Sequence, residues 1–412
     1  MPIKSTSGGS SKLGCRKIPP MTIRRPSVAR STSVPTRIPL KLGNRSYEIL
    51  VQEGLLAHLG EHLANLGLGP TAVIITNPIV KRLYGGLVLS SLKAHGFDVN
   101  VIVVPNGEQA KSMRWLNRIL DSLVRTRRER QTSLIALGGG VVGDLAGFAA
   151  STYLRGIPFV QVPTTLVAQV DASIGGKTGV NHHLGKNLIG AFYQPRVVVV
   201  DPLALLTLPV REYRAGLAEV IKYGVIEDAA FFNFLERDLS GVLRRESKSL
   251  ERILRTSCTI KARVVSADER EGDQRRILNF GHTLGHALET VTGYRRYLHG
   301  EAVAIGMVAA AGLARRLGVA GNEVQERIYD LVKRAGLPTD MPDHAPAAMI
   351  RVMRQDKKVK DGQIHFVLPT RIGHVRIEPV SESALGAFLR DTDDASADGR
   401  HSCVAVSRGR KS

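Results

Sequence analysis

Cysteine is scarce in this chain of 412 residues: Cys15, Cys258 and Cys403 are all it has. An odd number with no CxxC spacing supplies neither a disulfide framework nor a paired zinc-ligand set, and it points to a reducing compartment, the cytoplasm. No run of about 18 consecutive apolar residues occurs, so a membrane span is not expected. Acidic residues are missing from residues 1–47, which carry ten bases (Lys4, Lys12, Arg16, Lys17, Arg24, Arg25, Arg30, Arg37, Lys41 and Arg45). This stretch also lacks a continuous apolar core, which argues against a secretory signal. The expectation is a disordered basic arm over 1–37; an organellar import segment, or a start placed upstream of Met21, shares that composition. A second loose tail is expected over 391–412. Much of the formal net charge of +20 therefore lies in the arm. The remaining charges are scattered singly, without the basic–aromatic interleaving of single-strand binders, and no nucleic-acid partner is expected.

With 43% hydrophobic and 23% charged residues, the composition is that of a folded protein with a large core, and the length implies more than one domain. From Arg37, IPLKLGNRSYEILV reads as two short strands around a GNR turn. TAVIIT (71–76), DVNVIVVP (98–105), SLIALGGG (133–140), IPFVQVP (157–163) and RVVVVDP (196–202) follow, separated by stretches of helical periodicity. Alternating helices and apolar β-branched strands predict a mostly parallel sheet covered on both faces, a Rossmann-like α/β arrangement. After Pro209 the texture is helical, closed by a hairpin at 364–377. The predicted division is an α/β nucleotide-binding domain over 38–208 and a helical domain over 209–390, with no internal repeat.

Three glycines, Gly138, Gly140 and Gly143, follow a strand and precede a helix in the GxGxxG order that lets bare backbone N–H groups approach a pyrophosphate. A packing turn gives the same letters. NGEQAK (106–111) ends another strand, so Glu108 and Lys111 would reach the same carboxyl edge, where ligands of open α/β sheets sit; a surface salt bridge is the plainer alternative. The stretch 163–195, PTTLVAQVDASIGGKTGVNHHLGKNLIGAFYQP, is too rich in glycine and charge for a core segment and reads as a long functional loop. Within it, Lys177, Lys186 and Asn187 would hold anionic groups and Asp171 would accept from a hydroxyl.

His282 and His286, four apart in NFGHTLGHALE, share a helix face, and His299 follows in LHGEAVAIGM. Histidines with one acid make a catalytic metal shell that leaves a position open. His299 precedes a helix N-terminus, whose dipole disfavours its protonation. Glu219, Glu289 and Glu301 are the available acids; spacing does not choose among them, nor between His282 and His286 as ligand and proton carrier. Isolated cations complete the set: Lys222, three residues after Glu219 on the same helix face, then Lys261, Arg275, and Lys357 with Lys358.

In order along about residues 40–390, the run from GGGVVGDLAGF through GKNLIGAFYQP, then AGLAEVIKYG, NFGHTLGHALE, LHGEAVAIGM and DKK, resembles the 3-dehydroquinate synthase family of sugar-phosphate cyclases. The resemblance implies a homodimeric phosphorus–oxygen lyase of the shikimate pathway to chorismate and the aromatic amino acids. It implies catalytic NAD and a divalent metal, zinc or cobalt, and makes Glu219, His282 and His299 the metal ligands with His286 on the proton-transfer side. It implies NAD contacts at the turn Asn106, Gly107, Glu108, Gln109, Ala110 and Lys111, and at Gly139, Gly140, Val141, Val142, Gly143 and Asp144. Further NAD contacts fall on Thr164 and Thr165, on Lys177 and Lys186, and on Ala204, Leu205, Leu206 and Thr207. Asn106 departs from the Asp that the family commonly has. For the substrate it implies Asp171, Lys177, Asn187, Lys222, Lys261, Arg275, Asn279, His286 and Lys357, with Glu271 as a further acid and Arg155 directed at a neighbouring subunit's site.

The implied substrate is 3-deoxy-arabino-heptulosonate 7-phosphate, a phosphorylated sugar acid whose two anionic groups suit a lysine- and arginine-rich pocket. The implied reaction comprises hydride transfer to NAD, phosphate elimination, hydride return, ring opening and an intramolecular aldol closure. The alternative is another NAD- and metal-dependent cyclase acting on a neutral sugar phosphate.

Overall fold

The apolar runs become strands of one sheet because each is long enough to cross it and apolar enough to be covered twice. In a computed structural model, which describes residues 34–342, 346–355, 359–360 and 363–397, β1 (Thr36–Leu40), β2 (Tyr47–Val51), β3 (Thr71–Thr76), β4 (Asp98–Val103), β5 (Ser133–Gly138) and β6 (Phe159–Pro163) precede a two-stranded hairpin. The hairpin is β7 (Lys177–His182) and β8 (Gly185–Phe192), and β9 (Val197–Val200) returns to the sheet. The order across the seven-stranded sheet is β1-β2-β9-β6-β5-β3-β4, parallel throughout except for β1 against β2. β5 and β9 are buried at every position, whereas β4, at the edge, is half-buried. Alternation sends Ile135 and Leu137 of β5 into one apolar layer and Leu134 and Ala136 into the other.

A third core joins the outer face of β1, β2 and β9 to the helical half through Ile38, Leu40, Ile49, Val198 and the helices Val210–Glu227 and Ser247–Ala267. β10 (Val359–Lys360), β11 (Gln363–Arg371) and β12 (His374–Val380) form an antiparallel sheet that contains the expected closing hairpin.

The structure departs from the sequence reading in two places. Residues 163–195 are not one long loop: after a helical turn at Ala168–Ala172 they fold into the β7–β8 hairpin, with Gly179 paired to Gly190. A Cβ on Gly190 would lie 2.1 Å from the carbonyl oxygen of Thr178. These glycines are therefore demanded by close strand approach rather than by loop freedom. Likewise a helix spans Glu382–Ala397, past the start of the expected tail at 391. Its buried Leu385, Phe388 and Leu389 share one face and anchor it, so the backbone stays helical into the polar DTDDASA. The arm before residue 34, Lys357 with Lys358, and the chain beyond 397 lie outside the described residues.

Candidate active site

Three helices meet where two small residues let them. A Cβ on Gly300 would lie 1.8 Å from the carbonyl oxygen of Ala215, and one on Gly306 would lie 1.9 Å from that of Gly281. The His299–Arg316 helix therefore lies directly against Val210–Glu227 and against the start of His282–Val291. This contact sets His282, His286 and His299 with ring nitrogens within 4.8 Å of one another.

Glu219, fully buried, faces them: its Oε1 is 3.4 Å from His282 Nε2 and 3.5 Å from His299 Nε2. The Nδ1 atoms point away, His282 Nδ1 to the carbonyl oxygen of Phe280 (3.0 Å) and His299 Nδ1 to Glu289 Oε2 (3.1 Å). Anchoring one imidazole nitrogen so that the other is presented is the usual support of a metal ligand. Both Glu219 oxygens are buried, Oε2 against the Lys222 ammonium and Oε1 toward the two imidazoles. Bonds of about 2.0–2.2 Å at tetrahedral angles put donor atoms roughly 3.3–3.6 Å apart, and the spacing here fits such a cation.

Burial works against charge on Glu219, but Lys222 and His282 outweigh it and hold its carboxyl well below the ordinary range. Burial first, then Lys222, pushes His282 down to about 4. His299 behaves differently from the helix-dipole expectation. Burial lowers it, yet Glu219 and Glu289 together prevail and raise it to about 10. A carboxylate at each ring nitrogen, Glu219 at Nε2 and Glu289 at Nδ1, creates a demand for positive charge that outweighs a helix end.

Beside this group lies a buried charge cluster. Asp171 Oδ1 accepts from Lys261 Nζ (2.5 Å) and from the Tyr223 hydroxyl (2.7 Å), and Lys222 Nζ stands 3.8 Å away. Lys222 also pairs with Glu219, so one ammonium joins the two groups. Burial opposes charge on Asp171, but the two lysines keep it ionised far below its ordinary value. Burial, with Arg275 and Lys222 adding to it against Asp171, brings Lys261 down to about 8.

Toward the hairpin, Lys177 pairs with Glu271, and Asn279 Nδ2 donates to the same carboxylate (2.9 Å). Arg275 is buried and directs its guanidinium at the carbonyl oxygens of Glu269 (2.5 Å) and Gly175 (3.3 Å). At the carboxyl edge of the sheet, Lys111 donates to Asp144 and Asn187. Burial raises the Asp144 carboxyl even though Lys111 opposes it. Gly139 caps the Gly140–Thr152 helix, and a Cβ on Gly143 would lie 2.8 Å from Gln161 Oε1, so that glycine packs helix on sheet. Glu108, Lys111, Lys186 and Tyr294 line a cleft of about 510 Å³, together with His182 and His183 at the hairpin tip.

Two family models match the chain: "3-dehydroquinate synthase N-terminal" over residues 101–215 and "3-dehydroquinate synthase C-terminal" over 216–359. The chain belongs to the 3-dehydroquinate synthase family. Among curated relatives, the 3-dehydroquinate synthase of Gloeobacter violaceus is 53% identical over 82% of this chain and 94% of its own. That of Desulforamulus reducens is 50% identical over 85% and 99%. Among solved structures, 2-epi-5-epi-valiolone synthase from Streptomyces hygroscopicus, with NAD+ and Zn2+ bound, superposes with a TM-score of 0.79 at 32% identity, over 86% of this chain and 98% of that one. 2-Deoxy-scyllo-inosose synthase, complexed with carbaglucose-6-phosphate, NAD+ and Co2+, gives 0.79 at 25% identity, over 87% and 100%. A probable glycerol dehydrogenase from Sinorhizobium meliloti, at 17% identity, shares the fold.

The residues expected at the site of a 3-dehydroquinate synthase thus fall into linked clusters, with exceptions. Arg155 is exposed beside Leu154, both with left-handed backbone, and it joins none of these clusters. Ala204–Thr207 form a helical turn after β9, held by the Tyr84 hydroxyl on Ala204 O (3.0 Å) and by Arg245 on Leu205 O (2.7 Å). Thr164 Oγ1 is buried without a partner, whereas Thr165 Oγ1 accepts from Ala168 N (3.3 Å). Lys357 lies outside the described residues. Sequence reasoning missed Tyr223, because residues adjacent on a helix point about 100° apart and nothing in the letters shows that Asp171 sits between Tyr223 and Lys222. Glu289 carried a signal: it follows His282 by seven residues and His286 by three, on one helix face.

No helix among the described residues is long and apolar enough to cross a membrane.

Proposed function

We propose that this chain converts 3-deoxy-arabino-heptulosonate 7-phosphate to 3-dehydroquinate and phosphate, with bound NAD and a divalent metal, zinc or cobalt. The observation that carries the reading is Lys222, which pairs with Glu219 on one side and approaches Asp171 on the other, so the proposed metal ligands and a lysine-rich anion pocket adjoin. Residues 38–208 would carry the nucleotide, along 106–111, Gly139–Asp144, Thr164, Thr165 and Ala204–Thr207, and residues 209–390 most of the metal and substrate groups. Glu219, His282 and His299 would hold the metal; this choice over His286 rests on the two Nε2 atoms that face Glu219 Oε1 while their Nδ1 atoms are engaged elsewhere.

When bound, NAD takes and returns a hydride, and the divalent metal acidifies the reacting hydroxyl and polarises the ketone. The chain's own groups do the rest. Asp171, kept anionic by Lys261 and Lys222, orients a substrate hydroxyl by accepting its hydrogen bond. Lys222, Lys261 and Arg275 neutralise the anionic substrate, and Lys177, Asn187 and Asn279 bind beside them. His286, one helical turn from His282, carries a proton at its ring nitrogen, and Glu271, held low by Lys177 against its burial, stays ionised beside Lys177 and Asn279. We also propose a homodimer, supported by the family and by the exposed Leu154–Arg155 bend, which offers Arg155 to a second copy.

The test is phosphate release from 3-deoxy-arabino-heptulosonate 7-phosphate with catalytic NAD, before chelation, after it, and after zinc is returned. Stoichiometric 3-dehydroquinate and phosphate, lost on chelation and with no net NADH, are expected. Turnover of neutral sugar phosphates alone would replace the reading with the other cyclase, and accumulating NADH would replace it with a dehydrogenase.

A further inference from the structure

Glu289 is buried and accepts two hydrogen bonds from opposite sides. Its Oε2 faces His299 Nδ1 at 3.1 Å and its Oε1 faces Lys186 Nζ at 3.1 Å. The first partner belongs to the histidine cluster. The second belongs to β8, and its ammonium also lies 4.0 Å from the centre of the Tyr294 ring, whose hydroxyl is 2.8 Å from Thr290 Oγ1. Lys186, Thr290 and Tyr294 line the 510 Å³ cleft together with Glu108 and Lys111 of the sheet-edge turn. One carboxylate thus touches both a ligand of the proposed metal site and a cation on the cleft wall.

We propose that Glu289 is a positioning residue that couples occupancy of the metal site to NAD affinity. This rests on the reading above, in which His299 holds the metal and Lys186 borders the NAD site. A cation on His299 Nε2 fixes the ring with its Nδ1–H on Glu289. The carboxylate so fixed presents its other oxygen to Lys186, which orders a long flexible side chain before the cofactor arrives. Linkage makes the effect mutual, so NAD raises metal affinity by the same factor. A glutamine at this position has a single acceptor oxygen and cannot serve both donors.

The experiment is calorimetric titration of NAD into the full chain, stripped by chelator and then loaded with zinc, for wild type, Glu289→Gln and Lys186→Met, without substrate. The readout is the ratio of NAD affinities with and without zinc, which a merely structural role in either variant would leave unchanged. Wild type is expected to bind NAD roughly 5- to 150-fold more tightly with zinc, the usual range for coupled sites, and both variants are expected to bring the ratio close to one. Lys186→Met, at a partly exposed position, carries the test if Glu289→Gln fails to fold. A wild-type ratio of one, or a ratio preserved in a folded variant, overturns the coupling and leaves the proposed function intact. Absence of NAD binding by wild type under both conditions overturns the functional reading and the coupling with it.

Discussion

Raising the pH above about 8 should weaken the enzyme through Lys261, while Glu219 and Asp171 keep the neighbouring Lys222 charged. Its ammonium lies 2.5 Å from Asp171 Oδ1 and is almost fully buried. Burial, Arg275 and Lys222 pull the proton off; Asp171 holds it on; and the balance falls about 8 instead of the ordinary 10.5. If only the ammonium neutralises the substrate, kcat/KM should fall about tenfold between pH ~7 and ~9, as the charged fraction goes from nearly complete to about a tenth. Stability should move the other way. Between about 8 and 10.5 the unfolded chain binds this proton and the folded chain does not, so this group's contribution to stability rises with pH through that window. The assay is kcat/KM against pH at saturating zinc and NAD for wild type and Lys261→Met, with thermal melts over the same range. The variant should be slow but lack the basic limb near 8. A limb that persists in the folded variant with the same midpoint refutes the assignment.

His286→Ala should reduce turnover by about 100-fold or more while metal content stays near wild type, whereas His299→Ala should lose the metal; atomic absorption after gel filtration separates them, and metal loss in His286→Ala would sink the ligand assignment. Tyr223→Phe keeps the ring but removes a fully buried hydroxyl whose one proton lies between Asp171 Oδ1 (2.7 Å) and Val170 O (2.9 Å). It should cost about 1.5–3 kcal/mol in denaturant unfolding, and an unchanged midpoint would refute that accounting. Gly300→Ala sets a methyl group 1.8 Å from Ala215 O and should force the helices apart, losing about 1–3 kcal/mol together with metal affinity; a crystal structure of the variant with an unmoved His299 would contradict this.

Much of this architecture was legible because the physics that writes it is local. A strand buried on both faces must be apolar throughout, so TAVIIT and VVVV announce themselves, and the helices after Pro209 show their buried faces by period. The hairpin at 177–192 did not, because the glycines that allow Gly179 and Gly190 to pair look like loop residues until the opposite strand is in view. The same limit governs the site. Spacing within one helix put His282 and His286 on a common face, yet it left Glu219, Glu289 and Glu301 equal as candidate partners. Packing separates them: Glu219 faces two Nε2 atoms, Glu289 supports an Nδ1 atom, and Glu301 is occupied by Arg211 at 2.7 Å. What distinguishes these acids is the crossing of helices held together at Gly300 and Gly306. A glycine on a helix face is therefore as much a determinant of this site as the histidine beside it, although it carries no chemistry of its own.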